Sequence, residues 1–136
     1  MNDSNANANA PKLGCVMPIF HTGDVGKALA WYRDSLGFKV AFQWPAPDSG
    51  EPAHYGGAEL DGVTIHFSAH GGGEGSKVYI IVAGNIDALA ASIKARGVTL
   101  ENEPKTQGYG MREFDLKDPD GHHLWFAQSA TRGGDE

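Results

Sequence analysis

A chain of 136 residues that is 40% apolar and 21% charged carries enough apolar material for one globular domain with a modest core, and not for two independent ones. Its formal net charge of −6, with Lys and Arg nowhere gathered into a block, argues against a nucleic-acid or anionic-membrane surface and favours small neutral or cationic partners. Its apolar runs fall far short of the roughly 20 residues needed to cross a bilayer, so no membrane anchor is expected.

The chain opens with MNDSNANANAPK, an Asn/Ala-rich stretch with little to bury and without the basic start or apolar core of a secretory signal. Residues 1–12 are therefore expected to form a flexible tail, as are residues 131–136 at the other end. Cys15 is the single cysteine, so no intrachain disulfide can form, which with the missing signal points to a reducing cytoplasm. At the head of the run Cys15-Val16-Met17 it reads as a small buried residue rather than a reactive thiol.

A strand-like run, Val16 to His21, comes first. Asp24 then caps a helix whose apolar face is Val25, Ala28, Leu29, Tyr32 and Leu36, and Gly37 ends it. Strands follow at Phe38 to Trp44, Tyr55 to Leu60 and Val63 to Ser68. The first two are separated by the loop PAPDSGEP; the last two are joined by Asp61-Gly62, a strong hairpin signal. GGGEGS, residues 71–76, reads as a flexible joint.

The pattern then returns. Lys77 to Ala83 is a strand, Asn85 caps a helix with Ile86, Leu89, Ala90 and Ile93 on one face, and Gly97 stops it. Val98 to Glu101, Met111 to Lys117 and His122 to Gln128 are strands, the last two joined by DPDG. Cap, face and terminator recur at an offset of about 60 residues, so each half reads βαβββ. The first module spans residues 13–70, the joint 71–75 and the second module 76–130.

The segments TGDVGKALAWYRDSLGF and DPDGHHLWF, taken with this repeat, resemble the glyoxalase/bleomycin-resistance/extradiol-dioxygenase family, also called the vicinal oxygen chelate superfamily. The resemblance covers about residues 15–129. It implies an α+β fold in which two βαβββ modules form a curved, half-barrel mixed sheet around a cavity with helices outside, commonly completed in a homodimer.

The resemblance also implies four metal-ligand positions on the cavity face, which fall here on Met17, His66, Val78 and Trp125. The family has His or Glu in such places, and only His66 offers a comparable donor. No metal or other cofactor is therefore expected; a displaced site using His21, His66 and Glu113 is the alternative. Strand alternation extends the cavity face to Ile19, His21, Thr64, Ser68, Ile80, Val82, Glu113, Asp115, His123 and Ala127. It sends Phe20, Ile65, Phe67, Tyr79, Ile81, Phe114, Leu124 and Phe126 towards the helices. His122 falls off the cavity face, and His21, His54, His70, His122 and His123 default to solvated imidazoles at strand ends and loops.

This lining describes an apolar pocket with an aromatic wall and a few polar handles. Trp125 suits stacking on a flat or cationic ring, or fills space; Glu113 and Asp115 suit an amine. Trp44 and Tyr55 beside the Pro/Gly loop suit a rim or a dimer contact. The first functional expectation is a metal-independent binder of an antibiotic-like small molecule, acting as a homodimer. The second is a small-metabolite enzyme of lyase, isomerase or dioxygenase type with His66 and Glu113 as its catalytic pair. The third is a pure interaction module, whose cavity would be filled and dry.

Overall fold

In the computed structural model, which describes residues 9–130, the repeat takes shape as β1 (Ile19–His21), α1 (Val25–Leu36), β2 (Lys39–Trp44), β3 (Tyr55–Leu60) and β4 (Val63–Ser68), then β5 (Lys77–Ile81), α2 (Ile86–Ala95), β6 (Asn102–Thr106), β7 (Met111–Lys117) and β8 (His123–Ser129). They build two four-stranded mixed sheets ordered β1-β4-β3-β2 and β5-β8-β7-β6. In each, the first strand runs parallel to the last and the other neighbours are antiparallel. Both sheets are open, giving two βαβββ modules. The expected tails fall outside the described residues except for residues 9–12, which are exposed. Among the described residues no helix is long and apolar enough to cross a membrane.

The local signals act as their chemistry requires. The Asp24 side chain accepts from the Lys27 amide and that of Asn85 from the Ala88 amide, so each helix begins on a capped turn. Gly37 closes α1 in the left-handed region at φ 82°. Asp61 and Gly62 both take positive φ, as a two-residue hairpin turn that follows the strand twist demands. The apolar faces of α1 and α2 bury Val25, Leu29, Tyr32 and Leu36, and Ile86, Ala90 and Ile93, against Phe20, Ile65, Phe67, Phe114, Leu116, Leu124 and Phe126 in one continuous core. Each such side chain contributes about 1.5–3 kcal/mol of burial.

The first strand begins at Ile19 rather than Val16, which leaves Val16 and Met17 exposed ahead of it, and four further features depart from the sequence reading. The first is the phase of β5: Val78 lies opposite Leu124 and Ile80 opposite Phe126, so Val78 and Ile80 face the core, with Val82 packed against it, while Tyr79 and Ile81 stand exposed on the other side. Val-Tyr-Ile-Ile-Val contains no polar alternation, so only pairing with β8 sets its face. Secondly, β6 starts at Asn102, because Val98 and Leu100 serve as half-buried anchors of the connection. Thirdly, Cys15 is exposed.

Fourthly, the Gly-rich joint is laid along β1. Gly73 and the β1 backbone exchange hydrogen bonds, His21 N to Gly73 O at 2.8 Å and Gly73 N to Ile19 O at 2.9 Å. His122, 1% exposed, joins the halves there. Its Nδ1 accepts from the Ser76 amide at 3.0 Å, so Nε2 carries the proton and donates to the His21 carbonyl at 2.7 Å, and its ring stacks on Phe20. A second clasp runs from the Tyr32 hydroxyl to Asp118 at 2.7 Å.

Candidate functional site

With one face of each sheet closed by a helix, the other is left open. On the first sheet the open face carries Ile19 and His21 from β1, Thr64, His66 and Ser68 from β4, Tyr55 and Gly57 from β3, and Phe42 and Trp44 from β2. Met17 precedes β1 and is exposed. Tyr55 and His66 hydrogen-bond through the hydroxyl and Nδ1 at 2.8 Å. Phe42 lies edge-on to His66, with ring centres 5.2 Å apart. Gly57 makes this possible: a Cβ there would stand 2.5 Å from Phe42 Cε1 and 3.1 Å from His66 Cδ2. Trp44 is 66% exposed beside the Pro/Gly loop.

The second sheet presents three rows across its strands. Lys77, His123 and Lys117 form one; Tyr79, Trp125, Asp115 and Asn102 the next; Ile81, Ala127, Glu113 and Lys105 the third. Diagonal bonds tie the rows together. His123 Nε2 meets Asp115 Oδ2 at 2.6 Å, and Asn102 Nδ2 donates to Asp115 Oδ1 at 3.0 Å. The hydroxyls of Tyr79 and Tyr109 donate to the two oxygens of Glu113 at 2.5 and 2.8 Å. The methyl of Ala127, between Tyr79 and Glu113, leaves that path clear. The bond to Glu113, then desolvation and the carboxylate charge, push the Tyr79 hydroxyl up to about 12; the same causes raise Tyr109.

The arrangement gathers Glu113, Asp115, His123 and Trp125 on one face and Ile19, His21, Trp44, Tyr55, Thr64, His66 and Ser68 on the other sheet's equivalent face. It does not bring Val78 or Ile80 to either. His66 and Glu113 each hold a tyrosine hydroxyl, and no hydrogen bond joins them. The sequence reading missed Phe42, Tyr79, Tyr109 and Asn102; Phe42 carried a signal, being two residues from Trp44 on one strand. The histidines are partnered rather than merely solvated: His54 Nδ1 and His70 Nε2 are 3.0 Å apart, His21 Nδ1 is 3.1 Å from the Gly71 carbonyl, and His122 is the buried clasp.

Two clefts of the described residues lie between the modules. One of about 320 Å³ is walled by Leu36, Phe38, Val63, Ile80, Leu89 and Phe126; another of about 350 Å³ is walled by Val16, Pro18, Thr64, Val78 and Tyr79. The second takes Thr64, Tyr79 and Ile81 from the open faces into its wall; neither of these two clefts is lined by His66, Glu113 or Trp125.

Residues 15–126 match the family described as the Glyoxalase/Bleomycin resistance protein/Dioxygenase superfamily. The chain belongs to this superfamily. No curated protein matches it. Among solved structures, TioX from Micromonospora sp. ML1 superposes with a TM-score of 0.72 at 16% identity, covering 85% of this chain and 98% of that one. A glyoxalase-related enzyme from Clostridium phytofermentans gives a TM-score of 0.72 at 23% identity, covering 89% and 98%. A glyoxalase/bleomycin resistance protein from Catenulispora acidiphila DSM 44928 gives 0.62 at 27% identity, covering 83% and 96%.

The residues present do not fit the superfamily's metal. Of the four implied ligand positions only His66 offers a nitrogen or carboxylate donor; the open-face neighbour of Trp125 on β5 is Tyr79. Among the described residues no three His, Cys, Asp or Glu side chains converge as an ion would require. His21, His66 and Glu113 do not form such a group.

Proposed function

We propose that this protein binds a flat, aromatic or cationic, antibiotic-like small molecule on its open faces, without a resident metal and as a homodimer. The observation that carries the reading is the set of aromatic rings, Phe42, Trp44, Tyr55, Tyr79 and Trp125, standing on the faces that the helices leave uncovered, with Trp44 66% and Tyr79 50% exposed. Burying one such ring removes about 150–250 Å² from water, and stacked pairs add about 0.5–1.5 kcal/mol. Glu113 and Asp115 each accept two hydrogen bonds, and a carboxylate has about four acceptor positions, so each retains capacity for a ligand ammonium. A second copy laid on the open faces would turn a surface into a cleft and cover Met17, Ile19 and Ile81.

The test is titration of bleomycin-type and planar aromatic compounds against tryptophan fluorescence, with Trp44→Phe and Trp125→Phe assigning the signal and gel filtration reporting a mass near twice 14.4 kDa. A flat response across every cationic and planar compound would defeat the binding reading. A second reading, a small-metabolite enzyme, is favoured by the His123–Asp115 pair rather than by His66 with Glu113.

A further inference from the structure

The pair formed by His123 and Asp115 is constructed so that one ring nitrogen is fixed and the other is free. Asp115 is 4% exposed, and a carboxylate only accepts, so the 2.6 Å contact places the proton of the neutral imidazole on Nε2 and its lone pair on Nδ1. Asn102 holds the second carboxylate oxygen at 3.0 Å, which stops the acid from turning away. The indole of Trp125 lies 3.6 Å from the imidazole at 20°, which stops the ring from tilting. Among the described residues Nδ1 has no hydrogen-bond partner, and no buried side-chain nitrogen or oxygen there lacks one; solvent therefore reaches Nδ1.

The surroundings point to the charge that this nitrogen would meet. Lys77 on β5 and Lys117 on β7 are the register partners of His123, so the imidazole is flanked by a lysine on each side of its row. The other titratable groups on this face are Tyr79 on β5, Asp115 and Glu113 on β7 and Lys105 on β6, with Tyr109 from the loop before β7. Glu113 lies two residues along β7 from Asp115, in another row, and the charged partners within the row of His123 are the two lysines.

We propose that His123 is a general base oriented by Asp115, and that it acts on a flat carbon acid. Nδ1 takes the proton, the C–H electron pair stays on the substrate as a delocalised anion or expels an anionic leaving group, and Lys77 and Lys117 stabilise the negative charge. The imidazolium, held by Asp115, returns the proton to another carbon of that anion, or to water once a leaving group has departed, so no oxidant, reductant or metal enters the step. Asp115 is a positioning residue. The proposal uses the same open face as the binding reading but requires proton transfer from it.

The experiment uses the full chain and 5-nitro-1,2-benzisoxazole, a planar carbon acid. Removal of its C–H proton forms a nitrile, breaks the N–O bond and releases a coloured phenolate. The expected result is a saturable rate at least ~100-fold above that of His123→Ala, the low end of the roughly 10²–10⁴-fold that a positioned base supplies. Nitrogen NMR should show His123 as the Nε2–H tautomer, and Asp115→Asn should lose both that tautomer and the rate. His123→Gln, which keeps a polar side chain of similar reach, serves as the second variant, with circular dichroism confirming its fold. A wild-type rate equal to that of His123→Ala or to the same concentration of free imidazole would overturn the proposal, as would an Nδ1–H tautomer. If planar compounds still quench tryptophan fluorescence while turnover is absent, the base is refuted and the binding reading survives; turnover without quenching by any other compound gives the reverse.

Discussion

Replacing His122 separates two ways in which one buried ring joins the modules. The side chain accepts from the Ser76 amide, donates to the His21 carbonyl and stacks on Phe20 with ring centres 4.2 Å apart. His122→Phe keeps a ring of similar size but strands one backbone donor and one acceptor, each costing about 1–1.5 kcal/mol in a partly buried setting, so ~2–3 kcal/mol is expected. His122→Ala loses the ring as well, adding ~2 kcal/mol of lost packing and cavity, for a total of ~4–5 kcal/mol. Against a total stability of about 5–15 kcal/mol, the alanine variant sits near the limit of folding. At roughly 4 °C per kcal/mol, the melting temperature should fall by about 10 °C for phenylalanine and by nearly twice that for alanine. Urea unfolding followed by circular dichroism and by tryptophan fluorescence measures both, with unchanged slopes confirming a two-state comparison. If His122→Phe is within 0.5 kcal/mol of the wild type, the two hydrogen bonds do not hold the modules together and the reasoning fails.

Three further outcomes follow from the geometry. The Tyr79 hydroxyl is raised from 10.0 to about 12, so the stabilisation tied to its protonated form is complete below pH 10 and lost as pH climbs through about 12. In a tyrosinate absorbance titration the difference between wild type and Tyr79→Phe should be a step near pH 12, moved down in Glu113→Gln; a step near pH 10 in wild type would contradict the Glu113 bond. Gly57→Ala should cost only ~1 kcal/mol, since the half-exposed Phe42 can swing outward, but the ring must leave His66. Loss of the ring-current shift on the His66 Cδ2 proton reports that movement, and an unchanged shift argues against the close approach. Asp118 accepts from the Tyr32 hydroxyl and from the Asp120 and His122 amides, so Asp118→Ala should destabilise by ~3 kcal/mol or more in urea unfolding, and a loss under 1 kcal/mol would show the clasp to be dispensable.

What the sequence made legible was whatever a single residue or a clear period decides. Asp24, Asn85, Gly37 and Asp61-Gly62 act through their own backbone chemistry, so the helices and the first hairpin follow from local reading. On β7 the alternation of Glu113 and Asp115 with Phe114 and Leu116 left no doubt which side chains turn from the core, although all four are buried. The partners of those acids were not legible. Tyr79 sits in a run of uniformly apolar residues whose face is set by pairing with β8, and Asn102 and Tyr109 arrive from a connection without periodicity.

The Gly-rich joint shows the same limit from the other side. By composition, residues 71–76 are a loose linker. In the fold, a Cβ on Gly72 would lie 3.0 Å from the His21 nitrogen and 3.1 Å from the Ile19 oxygen, so the missing side chain is what lets this backbone pack against β1. Glycine there serves close approach rather than freedom, and the packed joint carries Ser76 to His122, whose neighbour His123 is paired with Asp115. The adjacent histidines thus divide by strand alternation: one ring faces inward to fasten the modules, and the next presents its free nitrogen on the open face.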